Sequence, residues 1–248
     1  MEIEDIAFIP LQAALPAAYG MSKGLASARA TTLVRLRLAG GIEGIGEAWG
    51  PPLANLPWLG LLKEHLLGVH ALDVEQVFAR LFAKHYHFGM QGPLMWCVSG
   101  LDMAAKDAAG KALGLPAHRL LGGKGADKVS IYASGGYLTL DDARDFVPQI
   151  EAMAREGHRA VKIKIGVSPA SDEQRMAIAR RILGPDAEIM VDINSNYTLD
   201  LARESVARLA PYRPAWIEEP LSPQDVAGYE ELRRSSPAPI APGEALYT

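Results

Sequence analysis

The sequence predicts an α/β protein in which an α+β region precedes a run of parallel βα units. Three observations lead to this class. Partly alternating apolar segments open the chain, helical periodicity fills residues 59 to 121, and from Val129 onward short β-rich segments alternate with helical ones.

Taken in order, residues 2 to 9 and 31 to 38 read as strands. Gly40, Gly41, Gly44 and Gly46 then mark a turn into a third strand at 42 to 48, which makes an antiparallel meander. DVEQVFARLFAKHY and VSGLDMAAKDAAGKALGL repeat apolar residues at three- and four-residue steps, the second ended by Gly114 and Pro116. Beyond Val129 come VSIYAS (129–134), AVKIKIG (160–166), EIMVDIN (188–194), AWIEEP (215–220) and APIAPGE (238–244), separated by helical stretches such as LDLARESVARLA. Repeated strand–helix–strand units require parallel strands with right-handed crossovers, which both a doubly wound sheet and a (β/α)8 barrel use. No Gly-rich dinucleotide fingerprint follows any of these strands. LLGGKG at 120–125 follows a helix and precedes a strand, so it does not qualify.

Composition narrows the function. The 248 residues are 49% hydrophobic and 22% charged, enough to bury a core and too apolar for disorder. Lys and Arg number 25 against 29 Asp and Glu, a net charge of −4 with no basic cluster. The sequence therefore offers nothing to nucleic acid or an acidic membrane and points to a small-molecule partner. One cysteine, Cys97, excludes an internal disulfide, and no leader-like or spanning apolar run stands out; the expectation is a soluble cytoplasmic protein.

Chemistry concentrates at the carboxyl ends of the β segments, where α/β folds place their sites. Lys162 and Lys164 share one side of their strand, while Val161, Ile163 and Ile165 share the other. Asp192, Glu218 and Glu244 follow at equal intervals of 26 residues, one βα unit apart, and are expected at the same height on neighbouring strands. Crowded carboxylates need a cation, and an oxygen-only set suits Mg2+. The two ammonium groups, close together and near a metal, are expected to have lowered pKa values, so that one can serve as a base. A carboxylate substrate on such a metal would lose its alpha proton to a lysine. Singly, a Lys-x-Lys on a strand ordinarily marks a solvated face and an acid at a strand end caps a helix; the combination argues for a site.

VKIKIG, VDIN, WIEEP and IAPGE, in this order and spacing, resemble the enolase superfamily, specifically its mandelate racemase/muconate lactonizing enzyme family. SGLDMAAKDAAGKALGLPAHRLLGG at 99–123 resembles the segment leading from that family's capping domain into its barrel. The resemblance spans the whole chain. It implies an α+β capping domain over residues 1–125 and, over 126–248, about the first five strands of a (β/α)8-type (TIM-like) barrel. It further implies Mg2+ on Asp192, Glu218 and Glu244, Lys164 as base with Lys162 as its electrostatic companion, and Asn194 as a polar contact. Glu219, expected to face away from Glu218, is ranked behind the ligands. A Glu as third ligand leans toward the mandelate racemase branch.

The implied activity is proton abstraction alpha to a carboxylate through an enediolate, leading to racemisation, epimerisation or dehydration of a hydroxy acid or acid sugar. The capping loops would choose the substrate; the candidates are PAAYGMSKGLAS (16–27), with Tyr19 and Lys23, and EAWGPPLANLPW (47–58), with Trp49. Family habit implies a symmetric homo-oligomer. Five strands do not close a barrel, so the chain is expected to be part of a longer polypeptide whose later strands carry the second acid/base. Two other readings compete: a Schiff-base aldolase with Lys164 as nucleophile, and a truncated non-catalytic relative. The six histidines, Cys97 and Trp96 read as structural or exposed, with His85 and His87 beside Tyr86 as possible approaches to the site; Ser134 is equally a turn residue or a substrate contact.

Overall fold

A computed structural model describes residues 1–88, 91–123 and 125–247. The main chain divides into two compact units, one formed by Met1–Ala14 and Ala28–Lys128 with Tyr247, the other by Leu15–Ser27 and Val129–Leu246.

Two long strands, β1 (Ile3–Met21) and β2 (Gly24–Leu38), meet at a two-residue turn, Ser22 and Lys23. The segment expected to be a lid loop at 16–27 is therefore the tip of a β-hairpin. β2 then pairs antiparallel with β3 (Glu43–Ala48), from Thr32 opposite Ala48 to Arg37 opposite Glu43. Val34, Leu36 and Leu38 are buried, the period-two pattern of a half-buried strand. Helices α1 (Pro52–Leu66), α2 (Val74–Lys84), α3 (Pro93–Leu113) and the single turn α4 (Ala117–Leu120) complete the first unit. Because α1 starts at Pro52, most of the second expected loop, 47–58, is helix, with proline at the helix start where its missing N–H does no harm.

α3 turns Leu94, Cys97, Val98, Leu101, Ala104, Ala105 and Ala108 inward, and Gly114 ends it in the left-handed conformation. Gly44 and Gly46 are not turn residues but lie in β3 beneath this helix. A Cβ at Gly44 would stand 2.1 Å from the Ala104 carbonyl oxygen, and one at Gly46 2.0 Å from that of Gly100. Only glycine permits so close an approach of strand to helix.

In the second unit the elements are β4 (Ala133–Gly135), β5 (Leu138–Thr139), α5 (Asp142–Arg155), β6 (Ala160–Lys164), α6 (Pro169–Leu183), β7 (Glu188–Asp192), α7 (Leu199–Leu209), β8 (Ile217–Glu218), α8 (Val226–Ser235) and β9 (Ile240–Ala241). β4, β6, β7, β8 and β9 form one parallel sheet in chain order. A doubly wound sheet would reverse direction part-way across; this one advances steadily, as barrel strands do. The first barrel strand begins later than its sequence implies: Val129 and Ile131 are exposed and outside β4, where apolar alternation found no partner. β5 lies apart from this sheet and pairs antiparallel with the end of β1, Tyr19 opposite Thr139 and Gly20 opposite Leu138.

Val161, Ile163, Ile165, Ile189, Val191 and Ile193 pack beneath the helices with Phe146, Ile150, Met176 and Ala179. Each such side chain contributes about 2 kcal/mol by leaving water. That anchoring turns the alternate residues, Lys162, Lys164 and Asp192, to the opposite side of the sheet. Among the described residues, no helix is long and apolar enough to cross a membrane.

Candidate active site at the carboxyl ends of the parallel strands

Sheet register brings three of the expected residues into one rank: Lys164 stands beside Asp192, and Asp192 beside Glu218. Lys162 sits two residues back on β6, opposite Ser134 and Met190. Its longer reach brings its Nζ to Glu218 Oε1 and to within 3.4 Å of Asp192 Oδ2. Lys164 Nζ donates to Asp192 Oδ2 at 2.6 Å. Asp192 is fully buried and the lysines nearly so, at 9% and 8% exposed. The remaining oxygens are also engaged: Asn194 N–H donates to Asp192 Oδ1 at 3.0 Å, and Trp216 Nε1 donates to Glu218 Oε2 at 3.0 Å. Tyr132 stacks edge-on against Trp216, and its ring centre lies 6.0 Å from Lys162 Nζ.

Burial alone would lower the Lys162 pKa. The bond to Glu218 and the charges of Asp192 and Glu218 outweigh it, so the ammonium titrates above its ordinary range, not below as the sequence led us to expect.

Equal spacing in sequence does not put Glu244 at the same height. Glu218 pairs with Ala241, so Glu244 lies three residues beyond β9, exposed, in a turn closed by the Leu246 N–H on the Gly243 carbonyl. Glu219 corrects a second expectation. β8 ends at Glu218, and Glu219 takes φ +41°, which breaks the strand alternation that would have turned it away. It is buried, and its carboxyl pKa is raised by burial and then by the charges of Glu244, Asp192 and Glu218. Its carboxylate accepts from the Ala245 backbone, which ties it to the turn bearing Glu244.

Asn194 also departs from strand geometry, at φ +52° with Ser195 at +59°. It is 3% exposed, and both its amide oxygen and its nitrogen lack a hydrogen-bond partner. A buried amide is rarely left so, which singles it out as a group prepared for something else. Tyr19 stacks on Tyr137, ring centres 4.9 Å apart, and Ser22 Oγ donates to the Ile193 carbonyl at 2.6 Å, which fastens the hairpin tip beside Asp192. Lys23 is exposed in that turn. Trp49, in the N-terminal unit, is 68% exposed and packs edge-on against Trp96. Tyr86 and His87 pack together in a short 3-10 turn of the same unit.

Asp192 and Glu218 meet the two ammonium groups, Glu219 interacts by charge with both acids and with Glu244, and every acidic donor is oxygen. That set fits a hard divalent cation. As the side chains stand, Lys162 holds the place between Asp192 and Glu218. Among the described residues no three His, Cys, Asp or Glu groups are close enough to grip one ion.

Residues 8–122 match the mandelate racemase/muconate lactonizing enzyme N-terminal domain, and residues 145–248 match the enolase C-terminal domain-like family. The chain belongs to the mandelate racemase/muconate lactonizing enzyme family. It is 32% identical to D-galactarolactone cycloisomerase from Agrobacterium fabrum over 88% of this chain and 58% of that protein. It is 30% identical to L-talarate/galactarate dehydratase from Salmonella typhimurium over 98% of this chain and 62% of that enzyme. A structure of a mutant of that dehydratase liganded with Mg and L-glucarate superposes with a TM-score of 0.86, at 25% identity, over 98% of this chain and 64% of the other. A mandelate racemase/muconate lactonizing enzyme-like protein from Rubrobacter xylanophilus superposes with a TM-score of 0.90, at 27% identity, over all of this chain and 69% of that one. The chain thus spans about three fifths of the length of these curated relatives.

Sequence reasoning missed Trp216, Tyr137 and Ser22. Trp216 had a signal, since it precedes Glu218 by two and so shares its side of the strand. Ser22 had none, because its partner is a main-chain carbonyl 171 residues away.

Proposed function

We propose that this chain belongs to a Mg2+-dependent enzyme that removes the proton alpha to the carboxylate of an acid sugar or related hydroxy acid, leading to epimerisation, racemisation or dehydration. The observation that carries the proposal is the rank of Lys164, Asp192 and Glu218 on adjacent strand ends, with Lys162 reaching into it.

Lys164 takes the alpha proton. Lys162, whose carboxylate partners keep it protonated, meets the negative charge that develops on the substrate carboxylate as the enediolate forms. Asp192, Glu218 and Glu244 would hold Mg2+, which when bound supplies a Lewis acid for the substrate carboxylate. Asn194 brings an unspent donor and acceptor for a substrate hydroxyl or carboxylate. Glu219 holds the Glu244 turn in reach. Tyr19, braced by Tyr137, and Lys23 would help select the substrate. The named relatives, an acid-sugar dehydratase and a sugar-lactone cycloisomerase, support this substrate class.

The test is a panel of aldonic and aldaric acids with Mg2+ in deuterated water, read by alpha-proton exchange and 2-keto acid formation. Lys164→Ala is expected to abolish exchange, and Glu218→Gln to weaken Mg2+ binding. Exchange that survives in Lys164→Ala overturns the assignment.

A further inference from the structure

Helix α6 lies on the face of the sheet away from the lysine ammonium groups, and two of its residues one turn apart reach back to the main chain around Lys164. Arg175 is 3% exposed. Its Nε donates to the Lys164 carbonyl at 2.8 Å, its Nη2 to the Gly136 carbonyl and its Nη1 to the Asp142 carboxylate, and its guanidinium sits 3.8 Å from the Phe146 ring centre. Asp172 is fully buried and accepts from the Gly166 N–H, the Tyr197 hydroxyl and the Ser205 hydroxyl, each at 2.7 Å. The Lys164 N–H itself donates to the Gly136 carbonyl at 3.3 Å. The Lys164 carbonyl and N–H are thus tied, directly or through Gly136, to α6, while the Ile165 N–H donates to the Asp192 carbonyl at 2.9 Å.

Burying an arginine and an aspartate opposes folding, and apolar side chains would fill the same space more favourably. The guanidinium moreover directs two of its donors to carbonyl oxygens, where a carboxylate would have been the stronger partner. Such an arrangement is explained by what it fixes. Gly166, held by Asp172, has φ +100°, and a Cβ there would stand 2.7 Å from the Ile193 carbonyl oxygen, so the turn after Lys164 is close-packed and has one geometry.

We infer that Asp172 and Arg175 form a clasp that sets the main-chain direction at Lys164, and so act as positioning residues for the proton transfer; this second clause rests on the function proposed above. A displacement of about 1 Å at a reacting group costs about 100-fold in turnover. α6 would therefore control the reaction without touching substrate.

The experiment uses the full chain with Arg175→Met, which keeps most of the side-chain volume, and Arg175→Lys, which keeps the charge and one donor. Amide hydrogen exchange of residues 162–166 is expected to rise about tenfold or more in Arg175→Met while residues 188–192 stay within about threefold, with Arg175→Lys intermediate. Alpha-proton exchange on galactarate and gluconate is expected to fall about 100-fold in kcat, with KM and Mg2+ affinity held within about threefold and part of the loss recovered in Arg175→Lys. Unchanged amide exchange at 162–166 overturns the clasp, and so does a loss that falls on KM or Mg2+ affinity with kcat intact. Should the unsubstituted chain show no alpha-proton exchange, the proposed function fails, and the amide measurement judges the clasp by itself.

Discussion

Replacing Lys162 with methionine removes the cation between two carboxylates while keeping the side chain's volume. The structure sets the magnitude. Lys162 is 11% exposed at its side chain, Asp192 0% and Glu218 17%, and breaking a buried ion pair from one side costs about 3–5 kcal/mol because the partner charge stays behind. Asp192 keeps Lys164 and Glu218 keeps Trp216, so the expected loss is nearer 2–3 kcal/mol. For a chain of this size that is a fall of about 4–12 °C in Tm. Mg2+ should then narrow the gap. With no ammonium competing for Asp192 and Glu218, a roughly tenfold gain in Mg2+ affinity would add about 1.4 kcal/mol of stabilisation at saturating ion. Thermal unfolding of both proteins over a Mg2+ series checks this. A Lys162→Met protein that melts within about 2 °C of the parent, or gains no more from Mg2+ than the parent does, would refute the reasoning that Lys162 occupies a cation's place.

Three further outcomes follow from single contacts. Gly46→Ala drives a Cβ to 2.0 Å from the Gly100 carbonyl oxygen, with main chain on both sides, and should cost about 3 kcal/mol or more in urea unfolding. Gly60→Ala, in an open stretch of α1, should gain about 0.5–1 kcal/mol; equal effects would be against close packing as the cause. Ser22→Ala removes the 2.6 Å bond to the Ile193 carbonyl, worth about 1 kcal/mol, so trypsin should cut after Lys23 about fivefold faster, and an unchanged rate would show the hairpin is held by other contacts. Partial burial pushes the Asp107 carboxyl up, but the Lys111 ammonium at 2.7 Å and the Ile45 N–H at 2.8 Å outweigh it and leave its pKa lowered. Its contribution is therefore present above the unfolded value of 3.8 and lost as pH falls through the lowered folded value. Asp107→Asn should flatten the acid side of the stability profile between about pH 5 and pH 2, and identical acid limbs would rule the contribution out.

Several parts of the site were readable from residue order. Lys162 and Lys164 alternate with three residues that must be buried, so their common direction follows once the strand is recognised, and Asp192 and Glu218 each end a strand one βα unit later. Glu244 and Glu219 were not readable. The height of Glu244 depends on where β9 pairs, and Ala241, not Glu244, falls opposite Glu218. The direction of Glu219 depends on a left-handed backbone that no residue-type preference for glutamate foretells. Asp172 and Arg175 look like ordinary helix-surface charges. The sign that they are not is their place on the same helix face as Met176 and Ala179, which a helical projection shows and a motif search does not.

Sequence alone determined the class of fold, the parallel βα order, and the set of residue types, lysines and carboxylates, gathered at the strand ends, because period-two and helical periodicities and strand-to-strand spacing are properties of the chain itself. Tertiary structure decided the charge state of Lys162, the reach of Glu219 toward Glu244, the unpartnered amide of Asn194 and the clasp on Lys164. Each of these depends on distances between segments far apart in sequence and on burial, and those are settled only when the segments pack.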